Sequence, residues 1–325
     1  MANLSTNYLG LKLNNPLIVS SSGLTNTVEK IQKLEALGAG AVVLKSLFEE
    51  QIQVEAGRML DESSYPEAQD YILQYTKSHS LEEYLQLIED AKRVVRIPVI
   101  ASINCITASE WVGFSNDIEK AGADALELNV FFLPTSKDIS SEKHEELYYN
   151  VISKVRKKSG IPVSVKIGMH FTNLVKLINN LYIRGAHGVV LFNRFYAPDI
   201  DIENMKIIAA EVFSSPSDIR NSLRWVGIIS DQVEKIDIAA STGVHDGIGA
   251  IKQILAGAKA VQVCSVLYKE GIDKLPVIKR DIENWMNKHH FKSIEEFRGK
   301  LNYSHIPDPT VYERSQFMKY FSNHI

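Results

Sequence analysis

Cysteine is almost absent from this 325-residue chain, which carries only Cys105 and Cys264. Both lie inside or at the end of apolar runs, so a disulfide scaffold and a four-thiolate iron–sulfur site are excluded on this chain. No window approaches the roughly 18 consecutive apolar residues of a membrane span. The N-terminal stretch MANLSTNYLG has neither the basic region nor the apolar core of a signal peptide. The expectation is a soluble, cytoplasmic protein with no membrane partner. Charge of one sign is lacking as well: 36 Lys and Arg against 39 Asp and Glu give a net charge of −3, with the signs interspersed. Without a basic stripe nothing holds an extended phosphate backbone, and nucleic acid is not expected as a partner. HExxH, paired-carboxylate and G-x-S-x-G arrangements are also missing, and no metal site is expected.

What the chain does contain is a repeated junction. LGAGAVVLKS (37–46), AGADALELN (121–129), RGAHGVVLFN (184–193) and AGAKAVQVCS (256–265) each pass from a helical pattern through glycine into an apolar run that stops at polar residues. Glycine supplies a left-handed helix stop there, and alanine lets the chain enter the strand without crowding. Four more runs end the same way: NPLIVSSS (15–22), IPVIASINC (97–105), IPVSVKIG (161–168) and KIDIAAST (235–242). Near-continuous apolarity is the mark of parallel strands covered on both faces, whereas a half-exposed antiparallel sheet alternates. Helical periodicity fills the gaps, as in 28–37, 81–95, 144–158, 174–183 and 247–256. Eight such units predict an α/β fold, a (β/α)8 barrel.

The remaining segments are insertions on that frame, and residues 1–325 read as a single domain. Residues 3–14 predict a short hairpin closing the barrel bottom. Segment 47–80, after the second strand, is polar and rich in turn residues, a candidate lid. A second excursion over 194–218 follows the sixth strand, and RWVGIIS after it reads as buried helix rather than a ninth strand. The tail over 272–325 begins as a helix and loosens toward its end, with aromatic residues that pack on the barrel or at a subunit contact.

In a parallel barrel the C-terminal strand ends converge on one mouth. Here they present Ser21, Ser22 and Gly23; Lys45 and Ser46; Ser102, Asn104 and Cys105; Glu127 and Asn129; Lys166; Asn193 and Arg194; Ser241, Thr242 and Gly243; and Cys264 and Ser265. Two lysines, several asparagines and a ring of hydroxyls suit a planar, anionic ligand. Lys45 and Lys166 end apolar runs, where each either meets the ligand or pairs with a carboxylate such as Glu127. An amine beside a heterocycle stabilises negative charge developing on the ring. Asn129 and Asn193 match an amide-bearing edge, and Arg194 stands beside them on the substrate side. The loops of the last two strands, Ser241-Thr242-Gly243 and Cys264-Ser265, are where barrels commonly hold phosphate.

These residues resemble the flavin-dependent dihydroorotate dehydrogenase family, particularly its soluble class 1 branch. The similarity runs from PLIVSSSG to the KEG ending at 271 and resumes over IEEFRGKL (294–301). It implies FMN held by Ser22, Gly23, Lys45, Ser46, Ser102, Asn129, Lys166, Thr242, Gly243, Cys264 and Ser265. The small pyrimidine-like substrate then meets Asn129, Thr135, Asn193 and Arg194. A homodimer, a role in pyrimidine biosynthesis and a separate electron-transfer partner come with the same resemblance. Where the soluble class has a catalytic cysteine, ELNVFFLPTSKDISS places Phe132, which cannot take a proton. The asparagine expected after that base gives way around Thr135, and 47–80 lacks the family's asparagine-rich substrate loop. Ser136, Ser140, Ser141, Cys105 and His170 are the remaining candidates for the base, with Lys45 and Lys166 tuning the flavin. Two other readings stand beside this one: a flavin enzyme for a different unsaturated ring, and a non-catalytic barrel binding a phosphorylated ligand.

Overall fold

The computed structural model describes residues 2–61, 69–105, 108–194 and 197–313. An antiparallel hairpin, β1 (Thr6–Tyr8) and β2 (Leu11–Leu13), leads in. The barrel strands follow: β3 (Leu17–Val19), β4 (Ala41–Val43) with its short extension β5 (Leu47–Phe48), β6 (Val99–Asn104), β7 (Ala125–Asn129), β8 (Val163–Ile167) and β9 (Gly188–Leu191). A two-stranded ribbon, β10 (Pro198–Asp201) and β11 (Lys206–Ala209), interrupts the series before β12 (Asp237–Ala240) and β13 (Ala260–Val263). All barrel neighbours are parallel, and β13 returns to pair with β3, closing eight strands into a ring. The helices are α1 (Val28–Ala36), α2 (Glu49–Asp61), α3 (Gln69–Val94), α4 (Ala108–Lys120), α5 (Ser141–Arg156), α6 (Leu174–Ile183), α7 (Ile219–Gln232), α8 (Gly247–Ala256), α9 (Ser265–Glu270), α10 (Lys274–Lys288) and α11 (Thr310–Glu313).

The recurring glycines do what their position in the sequence implies. Gly38, Gly122, Gly185 and Gly257 take φ of 89°, 91°, 100° and 123°, the left-handed region that stops a helix without a Cβ clash. Strand residues then divide by alternation. Ile18, Ala41, Val43, Ile100, Ala125, Val190, Ala239 and Ala260 point inward, and Tyr8, Leu9 and Leu13 of the hairpin fill the space left by the alanines. The opposite side chains, including Leu17, Val42, Val99 and Leu126, pack under the helices. Helix faces follow the 3.6-residue period: α6 buries Leu174, Leu177, Ile178 and Leu181, and Asn173 caps it by accepting from the Lys176 amide at 2.9 Å.

The insertions differ from their sequence reading. Segment 47–80 opens with the short strand β5 and is otherwise helical where described: α2 buries Glu49, Ile52 and Ala56 and exposes its other described charges, and α3 begins well before residue 81 and buries Tyr84, Ile88 and Ala91. Residues 62–68 lie outside the described residues. The second insertion forms the β10–β11 ribbon, whose side chains are nearly all exposed, so no burial pattern announced it. Phe195 and Tyr196, and the tail from 314 onward, are likewise outside the described residues. RWVGIIS lies within α7, with Val226 and Ile229 buried. In the tail, Tyr303 and Tyr312 lie with ring centroids 6.4 Å apart beside α7, where Tyr303 donates its amide to the Gly227 carbonyl.

Gly40 marks the tightest strand approach. A Cβ there would overlap the Asn15 main-chain carbonyl and lie 3.1 Å from that of Leu17, atoms that cannot swing aside. Gly40→Ala is expected to destabilise the fold by about 1–3 kcal/mol, read as a lower urea midpoint. An unchanged midpoint would contradict the β3–β4 register.

Candidate active site

The C-terminal ends of the strands open on a cavity of about 550 Å³, within the range of roughly 300–1,000 Å³ usual for small-molecule sites. Its floor is a hydrogen-bonded square of buried side chains. The Lys166 ammonium donates to Ser20 Oγ at 3.0 Å and Gln262 Oε1 at 3.1 Å, and Ser20 Oγ donates to the same amide oxygen at 3.0 Å. Gln262 Nε2 in turn donates to Glu127 Oε2 at 2.6 Å, while Glu127 Oε1 lies 3.6 Å from the ammonium. Lys166 is 6% exposed and Glu127 1%, so each charge depends on the other and on the neutral groups between them. Lys166 therefore has both fates the sequence allowed, ion pair and cavity floor.

The two lysines part company. Backbone alternation after β4 buries Leu44 and Ser46 and turns Lys45 outward, into a separate groove that it lines with Glu55, Glu83 and Asp90. Ser46 points inward and starts a relay of hydroxyls, Ser21 Oγ to Ser46 Oγ at 3.1 Å and Ser46 Oγ to Ser102 Oγ at 2.7 Å. Tyr84 pins the far end, its hydroxyl accepting from the Ser102 amide at 2.7 Å and donating to the Ser102 carbonyl at 2.9 Å.

Asn193 Nδ2 donates to Asn129 Oδ1 at 2.8 Å, joining two predicted residues. The loop after β7 turns away from them. Phe132 packs edge-on to Tyr148, with centroids 5.7 Å apart, and Tyr148 packs on Phe171 at 5.2 Å. Thr135 and Ser136 are exposed on that loop and absent from the cavity lining, and Ser136 Oγ accepts from the Asp138 amide in a local turn. Ser140 caps α5. Cys105 is buried in the core under the helices, where burial and then Glu49 push its thiol far up, the wrong direction for a base at neutral pH. His170 lines a small pocket beside Phe132 instead.

The opposite end is shaped for an anion. Thr242 and Gly243 take successive φ of 73° and 83°, and a β-branched residue in that region is a strained conformation of the kind found at ligand clamps. Cys264 and Ser265 lie beside them; burial raises the Cys264 thiol, with the Ser22 hydroxyl and Lys166 opposing. Gly23 lies under the Tyr268 hydroxyl, 2.9 Å from where a Cβ would stand. Sequence reasoning missed Ser20, Gln262, Ser214 and the stacked pair Phe213 and Tyr268, whose centroids are 5.2 Å apart. Gln262 carried a signal, being the one polar residue inside AVQV; the wall residues carried none.

The sequence profile of the dihydroorotate dehydrogenase family matches residues 3–286. The chain belongs to that family. Among curated relatives it is 27% identical over 313 residues to the dihydroorotate dehydrogenase B (NAD(+)) catalytic subunit of Thermoplasma volcanium, covering 92% of this chain and 98% of that one. The protein of the same name from Pyrococcus furiosus is 28% identical over 295 residues, covering 89% and 96%. That of Methanocaldococcus jannaschii is 26% identical over 311 residues, covering 91% and 97%. A flavin-binding oxidoreductase fold follows from membership. The residues present suit FMN: a buried ammonium, bonded to Ser20 and Gln262 and paired with Glu127, for the ring end, and the strained Thr242-Gly243 turn with Ser265 for the phosphate end.

Removing one member of the buried pair strands the other. Glu127→Ala is expected to cost about 3–5 kcal/mol and Glu127→Leu with Lys166→Met distinctly less, measured by urea unfolding. Additive losses in the double variant would show that the two charges do not depend on each other.

Proposed function

We propose that this protein is an FMN-dependent oxidoreductase of the dihydroorotate dehydrogenase kind, exchanging hydride between the flavin and a small, polar, pyrimidine-like ring. The observation that carries the reading is the buried Lys166 ammonium on the floor of a cavity whose other end is the Thr242-Gly243 turn. When bound, the flavin supplies the two-electron acceptor or donor. Lys166 stabilises negative charge on the ring end, Asn129 and Asn193 present an amide edge to the substrate, and Ser22, Gly23, Ser46, Ser102, Thr242, Gly243, Cys264 and Ser265 complete the flavin's surroundings. Lys45, in its own groove, is left out of this assignment. The relatives' name, catalytic subunit of an NAD(+) enzyme, supports electron exit through a second protein. With two cysteines this chain cannot carry a four-thiolate relay itself. A cytoplasmic homodimer is the assembly the family resemblance supports; among the described residues no helix is long and apolar enough to cross a membrane.

A second reading keeps the flavin and changes the ring. The loop position that needs a proton acceptor carries Phe132, packed against Tyr148, which favours a substrate whose oxidation or reduction draws its proton from elsewhere.

Purified protein is expected to show visible flavin absorption, which a colourless barrel unable to take up FMN would refute. Anaerobic addition of dihydroorotate bleaches that absorption under the first reading and leaves it intact under the second. Lys166→Ala is expected to lower flavin retention or slow flavin reduction, and unchanged occupancy and kinetics would remove the lysine from the assignment.

A further inference from the structure

The cavity wall opposite the strand ends comes from the limb Glu211–Ser214 after β11, and one side chain holds that limb in place. Arg194, just beyond β9, donates from Nε to the Val212 carbonyl at 2.9 Å and from Nη2 to the carbonyls of Glu211 at 2.9 Å and Phe213 at 3.0 Å. Its Nη1 donates to Asp218 Oδ2 at 3.1 Å. Glu211 and Val212 are exposed, so water could serve their carbonyls; gathering three consecutive acceptors on one side chain instead fixes the path of this irregular segment. A planar five-donor fork serves them together with a carboxylate, which a lysine's point charge does not.

Two features ride on this limb. Phe213 stacks on Tyr268, roofing the cavity above Gly23. Ser214 reaches the phosphate end: its Oγ accepts from the Gly243 amide at 3.4 Å and lies 3.0 Å from His245 Nε2, and its own amide donates to Ser265 Oγ at 3.0 Å. Lys269 adds contacts to the Ser214 carbonyl at 3.4 Å and the Glu211 carboxylate at 3.2 Å. The limb thus touches both strand-end loops assigned above to phosphate.

We propose that Arg194 is a positioning residue, a latch that fixes Glu211–Ser214 across the cavity and thereby sets how fast a phosphorylated planar ligand enters and leaves. This assignment rests on the flavin reading and replaces the substrate contact expected of Arg194, since its guanidinium is committed to the limb. Opening requires the fork to let go of all three carbonyls together, so a single change at Arg194 loosens Glu211–Phe213, while Ser214 keeps its own contacts to Ser265, His245 and Lys269.

The test compares wild type, Arg194→Met and Arg194→Lys, each reconstituted with FMN. FMN release is followed by flavin fluorescence on dilution, and hydrogen exchange is measured over peptides spanning 209–218 in the apoproteins. Release about 10- to 100-fold faster in both variants is expected from loss of charge-assisted hydrogen bonds, together with faster exchange in 209–218. The lysine variant decides the role: wild-type release in Arg194→Lys would show that only a positive charge is needed and would overturn the latch. Unchanged exchange in both variants would overturn it too. Should wild type take up no FMN, the flavin reading fails, while exchange in the apoproteins still decides whether Arg194 holds the limb. If Arg194→Met does not fold, Asp218→Asn, which removes the carboxylate from the same fork, is expected to speed both measurements in the same direction, and no effect would count against the latch.

Discussion

A hydrogen-bonded bridge across the barrel sets the terms for everything above it. In the ring order, β8 faces β3 and β7 faces β13, so Lys166 to Ser20 and Gln262 to Glu127 are spans across the lumen. Below this layer the lumen is mostly apolar, plugged by Tyr8, Leu9 and Leu13 of the leading hairpin, with Ser164 beside the Tyr8 hydroxyl. Above it lies the cavity. Two opposite charges in such a place are costly to desolvate and are held because four strands, β3, β7, β8 and β13, deliver their partners at the same height. A barrel that closed in another register would leave a charge stranded, so the layer ties fold and site to one geometry.

The frame was readable because it rests on local chemistry. Left-handed glycines at 38, 122, 185 and 257 and apolar runs between them need only short-range rules. Strand ends were equally readable, and Lys166, Asn193, Thr242, Gly243, Cys264 and Ser265 do line one cavity. Direction was harder. Lys45 and Ser46 sit together in sequence and face opposite ways, a distinction decided by how the chain leaves β4 rather than by residue type. The insertions resisted because their signals are weak: α2 and α3 hide behind charged faces, and β10–β11 buries almost nothing.

Departures from the family pattern have a structural counterpart. The loop after β7 leaves the cavity, and its Phe132 joins Tyr148 and Phe171 in an aromatic cluster that anchors the loop elsewhere. On the flavin reading proposed above, keeping the ammonium floor and the strained Thr242-Gly243 turn without a proton acceptor on this loop separates two capacities, holding a flavin and taking a proton from dihydroorotate. The first is a property of the barrel; the second was always a property of a loop.

The same division explains where a substrate preference must be written. Strand-end residues cannot change much, because Lys166, Glu127, Gln262 and Ser20 are locked into one another and a substitution at any of them disturbs the lumen. The wall is less constrained. Arg194 fixes the path of its limb through main-chain carbonyls, so Val212, whose side chain is exposed, can vary without loosening it, whereas Phe213 and Ser214 are also held through their side chains. A guanidinium that grips three backbone carbonyls as well as Asp218 holds this wall whatever side chain stands at Val212, so the cavity's roof can change there while its floor stays intact.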